Sequence, residues 1–309
     1  MPFLAAGGQE HYRLEAREIA LICASHSGTD EHVRVVRGIQ AKTGVAENNL
    51  LCGIHPISHK PTQQAMQERG EKLSSNRHNC SGKHTGMLAF TRLKGLPIEV
   101  GTEPPYTSPE HPIQKDILTV FADMCDLAED QVSVGIDGCS VPTFAVPLYH
   151  AALAFARLCD PDQKDKRRAE ACLTITSAMT THPDMVGGPD SFDTHLMTAA
   201  QGQILCKGGA EGYQALGILP GARGKGSPAL GIAIKISDGD LGSHAGSSGA
   251  PSGHARPAVA LAVLLQLGIL KPTELGSLGE YGPRFPIQNW RKLSVGEART
   301  CLSLDFNNS

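Results

Sequence analysis

Glycine and proline punctuate this chain often, with 34 Gly and 20 Pro in 309 residues. That spacing demands many tight turns and short element ends, which suits a loop-rich α/β enzyme better than a helical bundle. The length fits one large α/β domain or two small ones, and no stretch demands a linker. A net charge of −3 gives no basic surface for phosphates, so nucleic acid is excluded as the main partner and a small molecule is expected. The longest apolar stretch, Leu261 to Leu270, is too short to span a bilayer. The start at Met1 carries no charged-then-apolar leader, so a cytoplasmic location is expected, with the nine Cys kept reduced.

Chemistry-bearing residues concentrate in four places. Glu18 to Ala24 has strand length and ends in the polar turn Ser25 to Asp30. Thr29 or Asp30 then caps a helical segment, Glu31 to Lys42, with Val33, Val36 and Ile39 on one face. On this reading Ser25 sits where a strand opens into a loop, a common place for α/β active sites; the alternative is that Ser25 and His26 only close the turn. The run Asn76 to Met87 packs the densest side-chain chemistry, and a helix begins just after its Cys-Ser-Gly turn. Cys80, Lys83 and His84 therefore share a helix start, although an Asn and Ser cluster also serves as a plain cap.

Val132 to Ile136 alternates as a strand and ends in Asp137-Gly138-Cys139. Either this is a tight turn with a buried Cys, or Cys139 joins Cys80 as thiolate ligands of one metal. Spacing alone does not announce such a site, and His84 is the third ligand that chemistry would choose, since Lys83 binds metal only when deprotonated. Lys207 to Gly212 reads as a Gly-rich turn whose backbone approaches a ligand closely, without a phosphate-loop pattern. Ala229 to Gly239 is the clearest strand, and Lys235 stands in it as either an edge residue or a base of lowered proton affinity. The Ser, Gly and His-rich segment Gly242 to Gly253 reads as flexible, and Arg256 to Leu267 as an apolar helix.

Taken in order, Cys23-Ala24-Ser25-His26, the Asn-Cys-Ser-Gly-Lys-His-x-Gly-Met run Asn79 to Met87, Asp137-Gly138-Cys139 and Lys-x-x-Asp-Gly at Lys235 to Gly239 resemble the thermolabile, Rhizobium-type (class 3) L-asparaginases. The resemblance covers nearly the whole chain. It implies a single α/β (α+β) domain of serine β-lactamase and glutaminase type, an antiparallel sheet covered by helices, assembled as a homodimer. It implies hydrolysis of L-asparagine to aspartate and ammonia by paired Ser and Lys residues. Carried over by position, Ser25 and Lys235 form such a pair, Cys80, Lys83 and Cys139 form a zinc site, and His84, Asp137 and Asn79 contact substrate. The family pattern also places a strand hairpin and an Arg-Ser-x-x-Lys-Pro element before the region corresponding to Met1, and no Ser-x-x-Lys precedes Ser25. The expectation is therefore a form lacking that hairpin and the second Ser and Lys pair. The competing readings are an amino-acid or zinc-binding module without catalysis, and an amidase for glutamine or a related amide.

Overall fold

The computed structural model describes residues 1–162, 164–240 and 255–305. Helices dominate the first half. They run as α1 (Pro2–Ala5), α2 (Gly8–Tyr12), α3 (Ala16–Ile22), α4 (Asp30–Thr43), α5 (Lys60–Glu68), α6 (Ser81–Leu93) and α7 (Pro112–Cys125). The hairpin of β1 (Ser133–Ile136) and β2 (Pro142–Ala145) follows, then α8 (Leu148–Cys159), α9 (Lys166–Thr181), α10 (Pro183–Val186) and α11 (Phe192–Ala199). Next come β3 (Ile204–Gly208), β4 (Tyr213–Ile218) and β5 (Leu230–Lys235), then α12 (Ala255–Gln266), β6 (Arg284–Gln288) and β7 (Ser294–Arg299). The fold is thus mixed α/β, with small antiparallel sheets. The expected flexible segment Gly242 to Gly253 lies outside the described residues.

The sheet that organises the molecule has the order β3-β4-β5, antiparallel throughout, with Lys207 opposite Ala215 and Ala215 opposite Ala233. Alternation sends Leu205, Gly217 and Gly231 to one face and Cys206, Leu216 and Ile232 to the other. Helix α8 lies against the first face, and glycine makes that approach possible. A Cβ at Gly231 would stand 1.7 Å from the Ala152 carbonyl oxygen, and one at Gly217 would stand 2.4 Å from Cys159 Sγ. Helices α11 and α12 pack on the other side, so the sheet is covered on both faces. Leu21, Leu88, Ile113, Leu196, Leu205, Leu216 and Leu261 belong to one continuous apolar core. Burial of this kind stabilises by roughly 25 cal/mol per Å² of apolar surface, which is what holds so many short elements together.

One expectation is corrected. Glu18 to Ala24, read above as a strand, lies mostly in α3, and Cys23 closes that helix. A short apolar run carries no period that separates a buried strand from a buried helix. Here Glu18 settles the choice, because its carboxylate accepts from the Glu15 backbone N–H at 2.8 Å while its own N–H donates to the Glu15 carbonyl at 3.0 Å. A first-turn carboxylate reaching back in this way starts a helix. Helix α4 follows expectation, with Thr29 at its N-cap and Gly44 at its C-cap in the left-handed region, φ 67°.

Candidate active site

The turn that follows α3 is pressed against the start of α6. A Cβ on Gly82 would lie 2.3 Å from the Leu21 carbonyl oxygen, and one on Gly86 would lie 2.6 Å from Ile22 Cγ2. The two glycines, one turn apart on α6, let the end of α3 cross at backbone contact. Three hydrogen bonds then tie the Ser25 turn to the segment before α6 and to the first turn of that helix. His26 N donates to the Asn79 carbonyl at 3.0 Å, Arg77 Nη1 donates to the Gly28 carbonyl at 2.9 Å, and the His26 ring reaches Ser81 Oγ at 3.0 Å. Gly28 has φ +71°, and a Cβ there would meet the Arg77 carbonyl oxygen at 2.6 Å, so no larger residue fits this turn. Arg77 is itself buried and held by Asp30 and Glu71, which leaves its charge compensated rather than free for a ligand.

Ser25 is exposed at the mouth of a cleft of about 430 Å³ lined also by His26, His55, His59, Asn79 and Asp190. Its hydroxyl accepts a hydrogen bond from Lys207 Nζ at 3.1 Å. The structure therefore pairs Ser25 with Lys207 and not with Lys235. Lys235 lies opposite Tyr213 on β5, exposed, and its ammonium donates to the Glu211 carbonyl. Two strand spacings of about 4.8 Å place β5 about 10 Å across the sheet from β3. Burial depresses the Lys207 ammonium below its ordinary range, against the opposing charges of Asp193, Cys80 and Cys206. Beside it, buried Asp193 Oδ2 accepts from Gly208 N at 2.6 Å and Oδ1 from Gln214 Nε2 at 3.1 Å, which pins the strand end carrying Lys207. Sequence reading missed Lys207 because Gly208 and Gly209 look like a turn. The usable signal was a lone Lys closing the apolar run Ile204-Leu205-Cys206, the same anomaly that drew attention to Lys235.

Cys80, Lys83 and Cys139 come together at the start of α6. Lys83 Nζ lies 3.2 Å from Cys139 Sγ and 3.4 Å from Asp137 Oδ2, and Cys139 Sγ is 3.3 Å from the same carboxylate. A hydrogen bond from Cys80 is the largest of the effects that lower the Cys139 thiol against burial, with the Lys83 ammonium assisting. The proton so shared raises Cys80. Burial alone would lower Lys83, but the two sulfurs and Asp137 outweigh it and keep the ammonium. His84 is fully buried, and its Nδ1 lies 2.6 Å from the Tyr106 hydroxyl. Its Nε2 is buried and makes no hydrogen bond. Of the expected substrate contacts, Asn79 lines the cleft, while His84 and Asp137 do not border it. Among the described residues no group of three or more His, Cys, Asp and Glu is gathered to hold a metal. A metal here would depend on Lys83 as well as the two sulfurs.

The sequence matches the L-asparaginase II family over residues 1–300. The chain belongs to that family. No curated protein matches it. The L-asparaginase II match spans every part of the site, from the Ser25 turn through Lys83 and Cys139 to Lys207, so both clusters belong to one family unit. It also assigns the chain to hydrolases of amide bonds. No helix among the described residues is long and apolar enough to cross a membrane.

Proposed function

We propose that this chain hydrolyses the side-chain amide of L-asparagine to L-aspartate and ammonia, with Ser25 as nucleophile and Lys207 as its base. The observation that carries the reading is the 3.1 Å contact between Lys207 Nζ and the Oγ of Ser25, which lines the cleft. A serine hydroxyl is a weak nucleophile until a neighbouring base removes its proton, and a lysine serves only when its amine is neutral. Burial of Lys207 favours that neutral form. Ser25 Oγ attacks the side-chain carbonyl carbon while its proton passes to Lys207. Lys207 then returns that proton to the leaving nitrogen, the C–N bond breaks, and ammonia departs. Water attacks the resulting β-aspartyl ester, gives its proton to Lys207, and the Ser25–carbonyl bond breaks with the proton restored to Ser25.

Cys80, Cys139 and Lys83 would hold a zinc ion, with His84 beside them. Two observations support this: Cys139 Sγ lies 3.2 Å from Lys83 Nζ, an arrangement that favours the thiolate, and His84 Nε2 is a buried nitrogen without a hydrogen bond. Binding would displace one proton from Cys80 and one from Lys83, because both must give up a proton to act as ligands. When bound, zinc would supply a fixed positive charge near the cleft. The serine β-lactamase-like arrangement is supported by the antiparallel three-stranded sheet with helices on both faces. The homodimer rests on the family resemblance alone.

The test is ammonia release from L-asparagine and L-glutamine by the purified chain beside Ser25→Ala and Lys207→Met. Release from asparagine that vanishes in both variants supports the proposal. Preference for glutamine moves the substrate assignment, and undiminished release in Lys207→Met removes Lys207 from the mechanism.

A further inference from the structure

The structure assigns His26 as a positioning residue that locks the Ser25 turn onto the first turn of α6 through both ring nitrogens, and so holds Ser25 Oγ at Lys207. The inference rests on Ser25 being the nucleophile. His26 is 1 % exposed, and every polar atom of its ring is committed. Gly28 N donates to Nδ1 at 3.1 Å. A backbone N–H has no lone pair to offer, so Nδ1 is the acceptor and the ring proton sits on Nε2. Nε2–H then donates to Ser81 Oγ at 3.0 Å, and the Ser81 hydroxyl donates onward to the Asn76 carbonyl at 2.8 Å. The chain of donors has one direction, which requires a neutral imidazole of one tautomer.

The ring is also clamped by stacking. His26 and His32 lie with centroids 4.7 Å apart and planes 18° apart. His32 is fixed in turn, with Nδ1 2.6 Å from Thr29 Oγ1 and Nε2 3.0 Å from the Asp184 carbonyl on α10. Because that carbonyl can only accept, His32 carries its proton on Nε2 as well. Helix α10 also receives Ser25 N at the Val186 carbonyl, 3.2 Å away. The two stacked rings thus connect α4, α6 and α10 around the exposed Ser25. A histidine that merely filled space would need neither nitrogen. Burial holds His26 well below the ordinary imidazole value, with His32 and His78 adding to the effect, so the acceptor at Nδ1 persists at neutral pH.

Asn and Gln separate the two nitrogens. His26→Asn offers an oxygen near Nδ1 but no donor that reaches Ser81, whereas His26→Gln restores a donor near Nε2. The experiment is kcat and KM for asparagine, thermal midpoint and crystal structure for the wild-type chain and both variants. His26→Asn should lose about tenfold or more in kcat with KM within about twofold, because a misplacement of about 1 Å costs up to about a hundredfold. Its Ser25 Oγ to Lys207 Nζ distance should open beyond hydrogen-bond range. His26→Gln should recover most of the rate and the short distance. Ser81→Ala, which removes the acceptor, should reproduce the Asn result and serves if His26→Asn does not fold. An unchanged distance and rate in His26→Asn overturns the proposal, as does an equal loss in Asn and Gln that follows thermal stability. If the wild-type chain itself releases no ammonia, the proposed function fails, and the distances alone decide the role of His26.

Discussion

Replacing Gly82 by Ala tests the close crossing that builds the site. Alanine is the better helix former by about 1 kcal/mol, so intrinsic propensity alone says that the variant gains stability. The packing says the opposite. The new Cβ would lie 2.3 Å from the Leu21 carbonyl oxygen and 2.9 Å from its carbon, both backbone atoms that no rotamer change moves aside. Reaching ordinary van der Waals separation takes a shift of about 1 Å between α3 and α6. Overpacking of this kind costs about 1–3 kcal/mol, which leaves a net loss of up to about 2 kcal/mol after the propensity gain. For a chain of this size that is a fall of up to about 3 °C in thermal midpoint. Gly38 is the paired control, because a Cβ there meets only Glu18 Oε1 at an ordinary 3.6 Å, so Gly38→Ala should gain up to about 1 kcal/mol. Circular dichroism melts of the two variants beside the wild-type chain read both signs. The same shift carries Ser25 away from α6, so ammonia release should fall much further in Gly82→Ala than its stability does. A Gly82→Ala variant that melts above wild type, in step with Gly38→Ala, would refute the argument.

Three other outcomes follow from the geometry. Lys235→Met should keep asparagine turnover within about twofold, since Lys235 is spent on the Glu211 carbonyl; abolished turnover at unchanged stability would restore it to the mechanism. Cys139→Ser should strip zinc from the purified chain, read by elemental analysis, and unchanged metal content would end the zinc proposal. The profile of kcat/KM against pH should rise through the Lys207 pKa at a midpoint below the ordinary lysine value, because only the neutral amine accepts the Ser25 proton and burial lowers its affinity. A limb centred at or above that ordinary value would contradict the desolvation argument. The linked stability has the same sign. The unfolded chain binds more protons between the folded and unfolded pKa values, so this group's contribution rises with pH across that window.

What the sequence disclosed depended on whether a local signal existed. Helix α4 was legible because Thr29 and Gly44 mark both ends, and α6 because a polar turn precedes its apolar spacing. Helix α3 was not, since its apolar stretch reads equally as strand, and the deciding Glu15 and Glu18 cap lies partly outside that stretch. Asp137-Gly138-Cys139 announced a turn, yet only the fold brings Lys83 to it from 54 residues away. The lysine that touches Ser25 was not legible for a related reason. Lys235 stood out in a long apolar strand, whereas Lys207 ended a short one before two glycines, and register decides which lysine borders the Ser25 turn. His84 looked like a ligand or a substrate contact, and nothing local foretold that Tyr106 would bury it at full depth.

The central claim is that Ser25 carries the acyl group while Lys207 moves its proton, and rapid acid quenching of the chain during asparagine turnover examines it directly. Mass spectrometry of the quenched digest should find one aspartyl residue added to the peptide bearing Ser25, and no adduct in Ser25→Ala or Lys207→Met. An adduct on another residue, or ammonia release undiminished in Ser25→Ala, would contradict the account.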